Sequence, residues 1–368
     1  MLNLTDVPAA VDAVLEEFFQ ATAPILDSIY PTVGDGGTAL REFVMTGGKR
    51  IRPMFVYAGR RCAGDKITMS ETPMTPDETL RVCAAIELIQ ACALVHDDIL
   101  DRSDTRRGNP TVHRRFEALH RARRWNHDAA HYGDSAAILI GDLALAWADD
   151  LFHGVLPVGV ADQSAPSRPV PFAASAVWSQ MRTEVLAGQF LDITNEASGD
   201  ESTTAAERVM TYKTAAYTVA RPLELGATLG GADTSMRREL HGIGIDLGIA
   251  FQLRDDLLGV FGDPEETGKP SGDDLVAGKR TALLAVALQR ADEAARDLLR
   301  SSIGRALDDA EVATARRVLV DSGAVAEIER QIAERRDAGL TRIEDLDCDE
   351  AARADLRTLA HRITVRSR

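Results

Sequence analysis

The sequence predicts a single all-α domain, and three observations carry that prediction. Alanine and leucine dominate the chain while aromatic residues make up only 5% of it, a balance that favours helix over sheet. Apolar residues recur every three or four positions, and period-two runs of β-branched or aromatic residues are hard to find. No Pro- or Gly-rich linker separates two cores and no short repeat divides the chain, whose 368 residues are 45% hydrophobic and so can bury a sizeable core.

The elements follow in order. Val11, Leu15, Phe18 and Phe19 mark an N-terminal helix within residues 1–30, and Leu40, Phe43 and Val44 mark a second that leads into Gly47-Gly48-Lys49-Arg50-Ile51-Arg52-Pro53. A long apolar run covers about 79–101. Another covers about 136–156, where Pro157 and the Ser/Pro-rich stretch 162–171 predict a surface loop. Helices are then expected over 173–196, 205–213, 218–229 and 236–261, followed by a Gly-, Pro- and Asp-rich loop at 262–278. The remainder alternates charged and apolar residues as amphipathic helices.

Charge and cysteine content exclude several classes. A net charge of −15 argues against a nucleic-acid partner, although local basic clusters can still receive a small anion. Cys62, Cys83, Cys92 and Cys348 show no CxxC pairing and read as reduced packing residues. No uninterrupted apolar stretch reaches the roughly 18 to 20 residues of a membrane span, and Met1 to Tyr30 lacks a basic start and an apolar signal core. The expectation is a soluble cytoplasmic protein.

Two aspartate clusters carry the chemistry. His96-Asp97-Asp98-Ile99-Leu100-Asp101 and Arg254-Asp255-Asp256-Leu257-Leu258-Gly259 each close an apolar segment of helical character. Asp97 and Asp101 lie one helical turn apart and share a face, with Asp98 about 100° round the axis. Like charges so crowded need a cation, and hard oxygen ligands without thiolate or imidazole spacing favour Mg²⁺, which takes remaining ligands from water and substrate phosphates. One such pair alone would read as a solvated helix end. Two matched pairs, each with basic residues downstream, read as metal-bearing walls facing one cavity.

The basic residues define what those walls hold. Lys49 and Arg52 follow a Gly-Gly pair, Arg106 and Arg107 follow the first cluster, Lys213 and Thr214 end another helix, and Lys269 and Lys279 bracket the loop after the second cluster. Guanidinium and ammonium groups are the usual partners of phosphate oxygens, so the alternation suggests two phosphorylated ligands side by side. Gly262 to Lys269 mimics a nucleotide-binding P-loop, but it has five residues between its glycines and Pro270 in place of the hydroxyl residue, and it follows a helix. Nucleotide hydrolysis through that stretch is discarded.

The motifs together resemble those of the trans-isoprenyl diphosphate synthases, the polyprenyl synthetase family. They are GGKRIRP (47–53), VHDDILD (95–101), RRGNPTVH (106–113), Gly141-Asp142, GQFLD (188–192), YKTA (212–215) and FQLRDDLLGVFGDPEETGKPSGDD (251–274), in matching order over about 41–279. The resemblance implies an isoprenoid synthase helical bundle around a central apolar cavity, usually a homodimer. Such enzymes use three Mg²⁺ ions to condense an allylic diphosphate, here C5 to C15, with isopentenyl diphosphate. It implies that Asp97 and Asp101 ligate two Mg²⁺ with Asp98 in support, and that Asp255 ligates the third with Asp256 and Gln252 nearby. Lys213, Lys269 and Lys279, with Arg106 and Thr214, would neutralise the departing pyrophosphate. Lys49, Arg52, Gln90 and Arg107 would hold the diphosphate of isopentenyl diphosphate, and Gln189 and Asp192 would orient the site.

Product length and one departure remain to be read. A helical turn advances about 5.4 Å and an extended isoprene unit covers roughly 5 Å, so each turn below Asp97 accommodates about one unit. Small Cys92 and Ala93 at the expected floor, where farnesyl-producing relatives commonly carry an aromatic residue, imply a deeper pocket and a C20 product, geranylgeranyl diphosphate. The alternatives, C15 or longer chains, require Ile89, Trp147 or another bulky group to set the floor. Gly259 stands where many relatives have a third aspartate, so a non-catalytic or regulatory subunit stays open. A terpene cyclase is disfavoured, because it needs no second diphosphate site.

Overall fold

The computed structural model describes residues 2–64, 73–155, 169–263 and 272–364. Among them the only strands are Thr105–Arg106 and Asn109–Pro110, which pair antiparallel as β1 and β2. Everything else of regular structure is helical. The first four long helices are α1 (Val7–Ile29), α2 (Pro31–Met45), α3 (Ile51–Ala63) and α4 (Pro76–Leu100); after the hairpin come α5 (Val112–Ala122), α6 (Ala129–His153) and α7 (Phe172–Ser198).

The chain then runs without a break through α8 (Thr203–Val209), a π-helical stretch (Met210–Ala220) and α9 (Arg221–Leu229). After α10 (Thr234–Phe261) follow the short α11 (Asp273–Ala277), then α12 (Ala282–Arg290), α13 (Glu293–Ser301), α14 (Asp309–Asp321), α15 (Ala324–Glu344) and α16 (Glu350–Thr364).

Helix α4 is the central element, and its sequence explains why. Thr75 accepts from the Glu78 backbone N–H at 3.2 Å while the Glu78 carboxylate accepts from the Thr75 N–H at 2.7 Å. This reciprocal cap, with Pro76 at the first turn, fixes the start and contributes about 1 kcal/mol. Val82, Cys83, Ala85, Ile86, Leu88 and Val95 are buried all round the axis, against α6, α3 and α1. By length and mean hydropathy this helix alone among the described residues could cross a membrane, although Arg81 and Glu87 interrupt its apolar run. Some 72% of its most apolar window is buried inside the protein, so neighbouring helices already cover that surface.

Helix α10 serves two apolar clusters. Leu240, Ile243 and Leu247 join the main core, whereas Ile249, Leu253 and Leu257 join a second cluster with α12, α14 and α15. The C-terminal third thereby buttresses one side of α10, leaving its Asp255 edge half-buried.

Three boundaries differ from expectation. The helices expected at 205–213 and 218–229 are one run, because the wide π turns slip the apolar phase and make one rod read as two. The loop expected at 262–278 contains α11, whose five residues are too few to show a period. Helix α6 starts at Ala129, where Asp128 accepts from the His131 N–H at 2.9 Å, and ends at His153 before Gly154 at φ 70°. Most of the surface loop expected at 162–171 lies outside the described residues; Pro169 to Pro171 lead directly into α7.

The π stretch is held by close packing on both sides. A Cβ at Gly188 of α7 would lie 2.4 Å from the Lys213 backbone nitrogen, and one at Gly248 of α10 would lie 2.5 Å from the Ala215 Cα. Only glycine permits that approach. It wedges Lys213 and Thr214 between two helices that carry acidic residues.

Candidate active site

The first acidic wall stands at the C-terminal end of α4. Asp98 is 1% exposed, and its Oδ1 accepts from Arg106 Nε at 2.7 Å, while its Oδ2 is buried with no hydrogen-bond partner. Burial pushes the Asp98 carboxyl up, against the pull of Arg106. Asp97 faces the other way: it lies 3.4 Å from Lys213 Nζ and 3.6 Å from Arg106 Nη2. Burial raises it too, but Lys213, Lys279 and Arg106 outweigh that and hold it below the ordinary carboxylate value. Asp101, at the helix cap, lies 3.2 Å from Lys279 Nζ.

Each cation arrives from a different element. Arg106 sits on β1, Lys213 on the π stretch and Lys279 just after α11. Lys213 also donates to Asp192 Oδ2 of α7 at 2.6 Å. Burial would lower the pKa of Lys213 and of Lys279, yet their aspartates win and both are raised. Both lysines therefore stay charged. One turn beyond Asp192, Glu196 is pushed up to about 7 by burial and then by the charges of Asp192 and Asp101.

The second wall is organised by hydrogen bonds. Asp256 is 3% exposed; its Oδ1 accepts from Gln252 Nε2 at 2.8 Å and its Oδ2 from the Ala282 backbone N–H at 3.2 Å. Thr214 Oγ1 donates to Gln252 Oε1 at 2.7 Å, linking the π stretch to the same chain. Burial, then Asp274 and Asp255, push Asp256 up to about 7 although Gln252 opposes. Asp255 remains half-buried on the adjacent face.

A separate basic cluster surrounds the start of α3. Gly47 and Gly48 adopt φ 82° and 109°, open to glycine and strained for most other residues. Arg50 turns inward, donating to Asp12, Glu87 and the Val44 carbonyl, and pins the turn to α1 and α4. Arg52 donates to Thr218 Oγ1 at 2.8 Å and lies 4.5 Å over the Tyr217 ring. Arg107, at φ 52°, donates to the Thr46 carbonyl. Burial lowers its pKa, and so does repulsion from Arg106, Arg50 and Arg52, a repulsion that an anion placed there would relieve. Lys49 is exposed beside it, and Gln90 is half-buried on α4. Behind Arg106 and Arg107 a groove of about 710 Å³ opens between α2, the hairpin and α5. It reaches neither Asp97 nor Asp255, so it is not the space between the walls.

The expected residues thus gather, with exceptions. Lys269 lies outside the described residues. The buried Cys92 Sγ sits 3.8 Å from His96 Nδ1 on the face toward α6, and half-buried Ala93 precedes Asp97 by one turn on the same face. Trp147 meets Phe18 and Phe19 edge-on. Arg50, inside the 47–53 motif, and Glu196, four residues after Asp192, each had a signal but no assigned role, and Tyr217 had neither.

The donor set suits Mg²⁺. Among the described residues no three carboxylate, imidazole or thiolate groups form a metal cage by themselves. Hard carboxylates on separate walls fit an ion that keeps waters and shares substrate phosphates.

Two acidic walls with cations threaded between them, on an all-helical bundle, define an enzyme that handles diphosphates. The polyprenyl synthetase family model matches residues 37–319. The geranylfarnesyl diphosphate synthase of Aeropyrum pernix is 31% identical over 77% of this chain and 79% of its own. The (2E,6E)-farnesyl diphosphate synthase of Mycobacterium tuberculosis is 32% identical over 87% and 80%. The structure of a geranylgeranyl pyrophosphate synthase from Corynebacterium glutamicum, complexed with isoprenyl diphosphate and magnesium, superimposes with a TM-score of 0.90 at 44% identity, covering 99% of each chain. The chain belongs to the polyprenyl synthetase family and is a trans-prenyltransferase.

Proposed function

We propose that the enzyme condenses an allylic diphosphate of C5 to C15 with isopentenyl diphosphate and ends at geranylgeranyl diphosphate, releasing pyrophosphate. The carrying observation is the alternation of Asp97, Asp98 and Asp101 with Arg106, Lys213 and Lys279, beside a second, basic cluster of Arg52 and Arg107. Two diphosphates need two such places. A cyclase needs one.

Asp97 and Asp101 would hold two Mg²⁺ and Asp255 a third, while Asp98 fixes Arg106, and Asp256 with Gln252 fixes the second wall. Bound Mg²⁺ supplies Lewis-acid stabilisation of charge on the diphosphate oxygens. Lys213, Lys279 and Arg106, joined by Thr214 and Lys269, neutralise the departing pyrophosphate. Lys49, Arg52, Gln90 and Arg107 orient isopentenyl diphosphate so that its double bond meets the allylic carbon. Gln189 and Asp192 orient the site, Asp192 through the hydrogen bond it accepts from Lys213. The proton lost after coupling goes to a pyrophosphate oxygen, and apolar walls keep water from the cation.

Ala93, half-buried one turn before Asp97, leaves room beneath it, which supports C20. The exposed apolar side chains of Leu139, Phe172 and Phe190 (68%, 85% and 69% exposed) support a homodimer through α6 and α7. We place the enzyme in the cytoplasm. Incubation with Mg²⁺, labelled isopentenyl diphosphate and C5, C10 or C15 primers is expected to yield a ladder ending at C20. No elongation with any primer overturns the activity, and another end-point overturns the length.

A further inference from the structure

Two of the four thiols meet, far from each other in the chain and outside both acidic walls. Cys62, in the last turn of α3, is 2% exposed in the main core. Cys348, in the turn between α15 and α16, is partly exposed and packs on that same core. The two side chains are hydrogen-bond neighbours, so their sulfurs face one another where α16 lies on α3.

The surrounding contacts hold that meeting in place. Arg61, the residue before Cys62, pairs with Asp355 of α16, and Arg362 near the end of α16 donates to Met54 Sδ of α3 at 3.5 Å. Leu356, Leu359 and Ile363 of α16 are fully buried. The turn carrying Cys348 is closed by its own bonds: the Leu346 carbonyl accepts from the Cys348 N–H at 2.9 Å and from Arg353 at 3.0 Å. Asp349 then caps α16 by accepting from the Ala352 N–H at 2.6 Å.

The two thiols are not equivalent. Its hydrogen bond with Cys348 and then burial push the Cys62 thiol up, so it stays protonated. The same bond, helped by the charge of Arg353, holds Cys348 below the ordinary thiol value although burial opposes it. The N-terminal end of α16, just after Cys348, also favours an anion. A partly exposed sulfur with thiolate character beside a buried thiol suits an oxidisable cysteine and its resolving partner.

We propose that Cys62 and Cys348 are a peroxide-responsive thiol pair that closes into a disulfide and staples α16 to α3. The Cys348 thiolate attacks hydrogen peroxide and breaks its O–O bond; one oxygen stays on sulfur as a sulfenic acid and the other leaves as hydroxide, which takes up a proton to become water. The Cys62 sulfur then attacks the Cys348 sulfur, forming the S–S bond, and its proton departs with the displaced hydroxyl as a second water. Two thiols and one peroxide give one disulfide and two waters. Because the bond joins residues so distant in sequence, it restricts the unfolded chain strongly.

The test exposes the reduced, folded chain to hydrogen peroxide. Two of the four thiols should become unreactive to alkylation, and mass spectrometry without reduction should show a peptide joining Cys62 to Cys348. The thermal midpoint should rise by about 5 °C, and a thiol reductant should reverse all three changes. Buried Cys83 and Cys92, both pushed up by burial, are internal controls and should stay reduced. Cys348→Ser should keep its remaining thiols and show no rise, whereas Cys62→Ser should stop at a sulfenic acid on Cys348 that a 1,3-diketone traps. If Cys62→Ser does not fold, the wild-type linkage and Cys348→Ser decide. Four thiols retained, a bond to Cys83 or Cys92, or Cys348 carried to sulfinic acid with Cys62 still free each overturn the pair. A Cys62–Cys348 bond with an unchanged midpoint overturns the staple.

Discussion

The two acidic walls solve one problem in different ways. At the end of α4, Asp97 and Asp101 meet cations reaching in from the π stretch and from the segment after α11. On α10, Asp256 is tied on both oxygens by Gln252 and a backbone N–H, so its carboxyl is an anchor. The first wall is a set of charges that can be re-paired. The second is a rigid mount that presents Asp255. The difference teaches that a DD pair does not assign equal roles to its members: in each wall one aspartate turns inward to hold a partner and the other faces the site.

The largest test of that asymmetry removes the outward carboxylates. Asp97→Ala and Asp255→Ala should each lower turnover by about 1,000-fold or more in elongation assays, since preorganised charge is the main catalytic resource here; loss from only one would make the walls functionally unequal as well as structurally so. A smaller effect is expected at the basic cluster. Arg52→Lys loses the guanidinium N–H donated to Thr218 and the stack on Tyr217, and should raise KM for isopentenyl diphosphate roughly tenfold with kcat less affected. Steady-state kinetics with isopentenyl diphosphate varied would show it, and an unchanged KM would remove Arg52 from that site.

Ala93→Phe, one turn beneath Asp97, should move the end product from C20 to C15 while keeping turnover within about tenfold; chromatography of the product that still shows C20 would move the floor elsewhere. The smallest effect concerns Glu196, whose carboxyl is raised from 4.5 to about 7. A raised carboxyl contributes stability that is fully present below its unfolded value and is lost as pH rises through the folded value. In metal-free urea melts between about pH 4 and about pH 8.5, wild type should lose on the order of 1 kcal/mol more than Glu196→Gln. Equal losses would place that carboxyl in solvent.

Legibility in the sequence follows contact order. Asp97, Asp101 and Ala93 lie on one helical stripe, and a period of 3.6 reveals them directly. Gln252 and Asp256, four apart on α10, are equally visible as neighbours. The pairing of Lys279 with Asp101 is not, since no local rule joins a loop residue to a helix cap so far away. The π stretch was misread as a break for a related reason: pattern reading assumes one period, and wide turns change it.

The sequence by itself determined the helical class, the two aspartate clusters, the cationic residues and so the family chemistry, because these are carried by residue type and by spacing within single helices. Only the tertiary structure decided which aspartates face the site and which cation serves which carboxylate. Those outcomes depend on burial and on side chains meeting across elements, and burial is set by how helices pack rather than by the order of residues along any one of them.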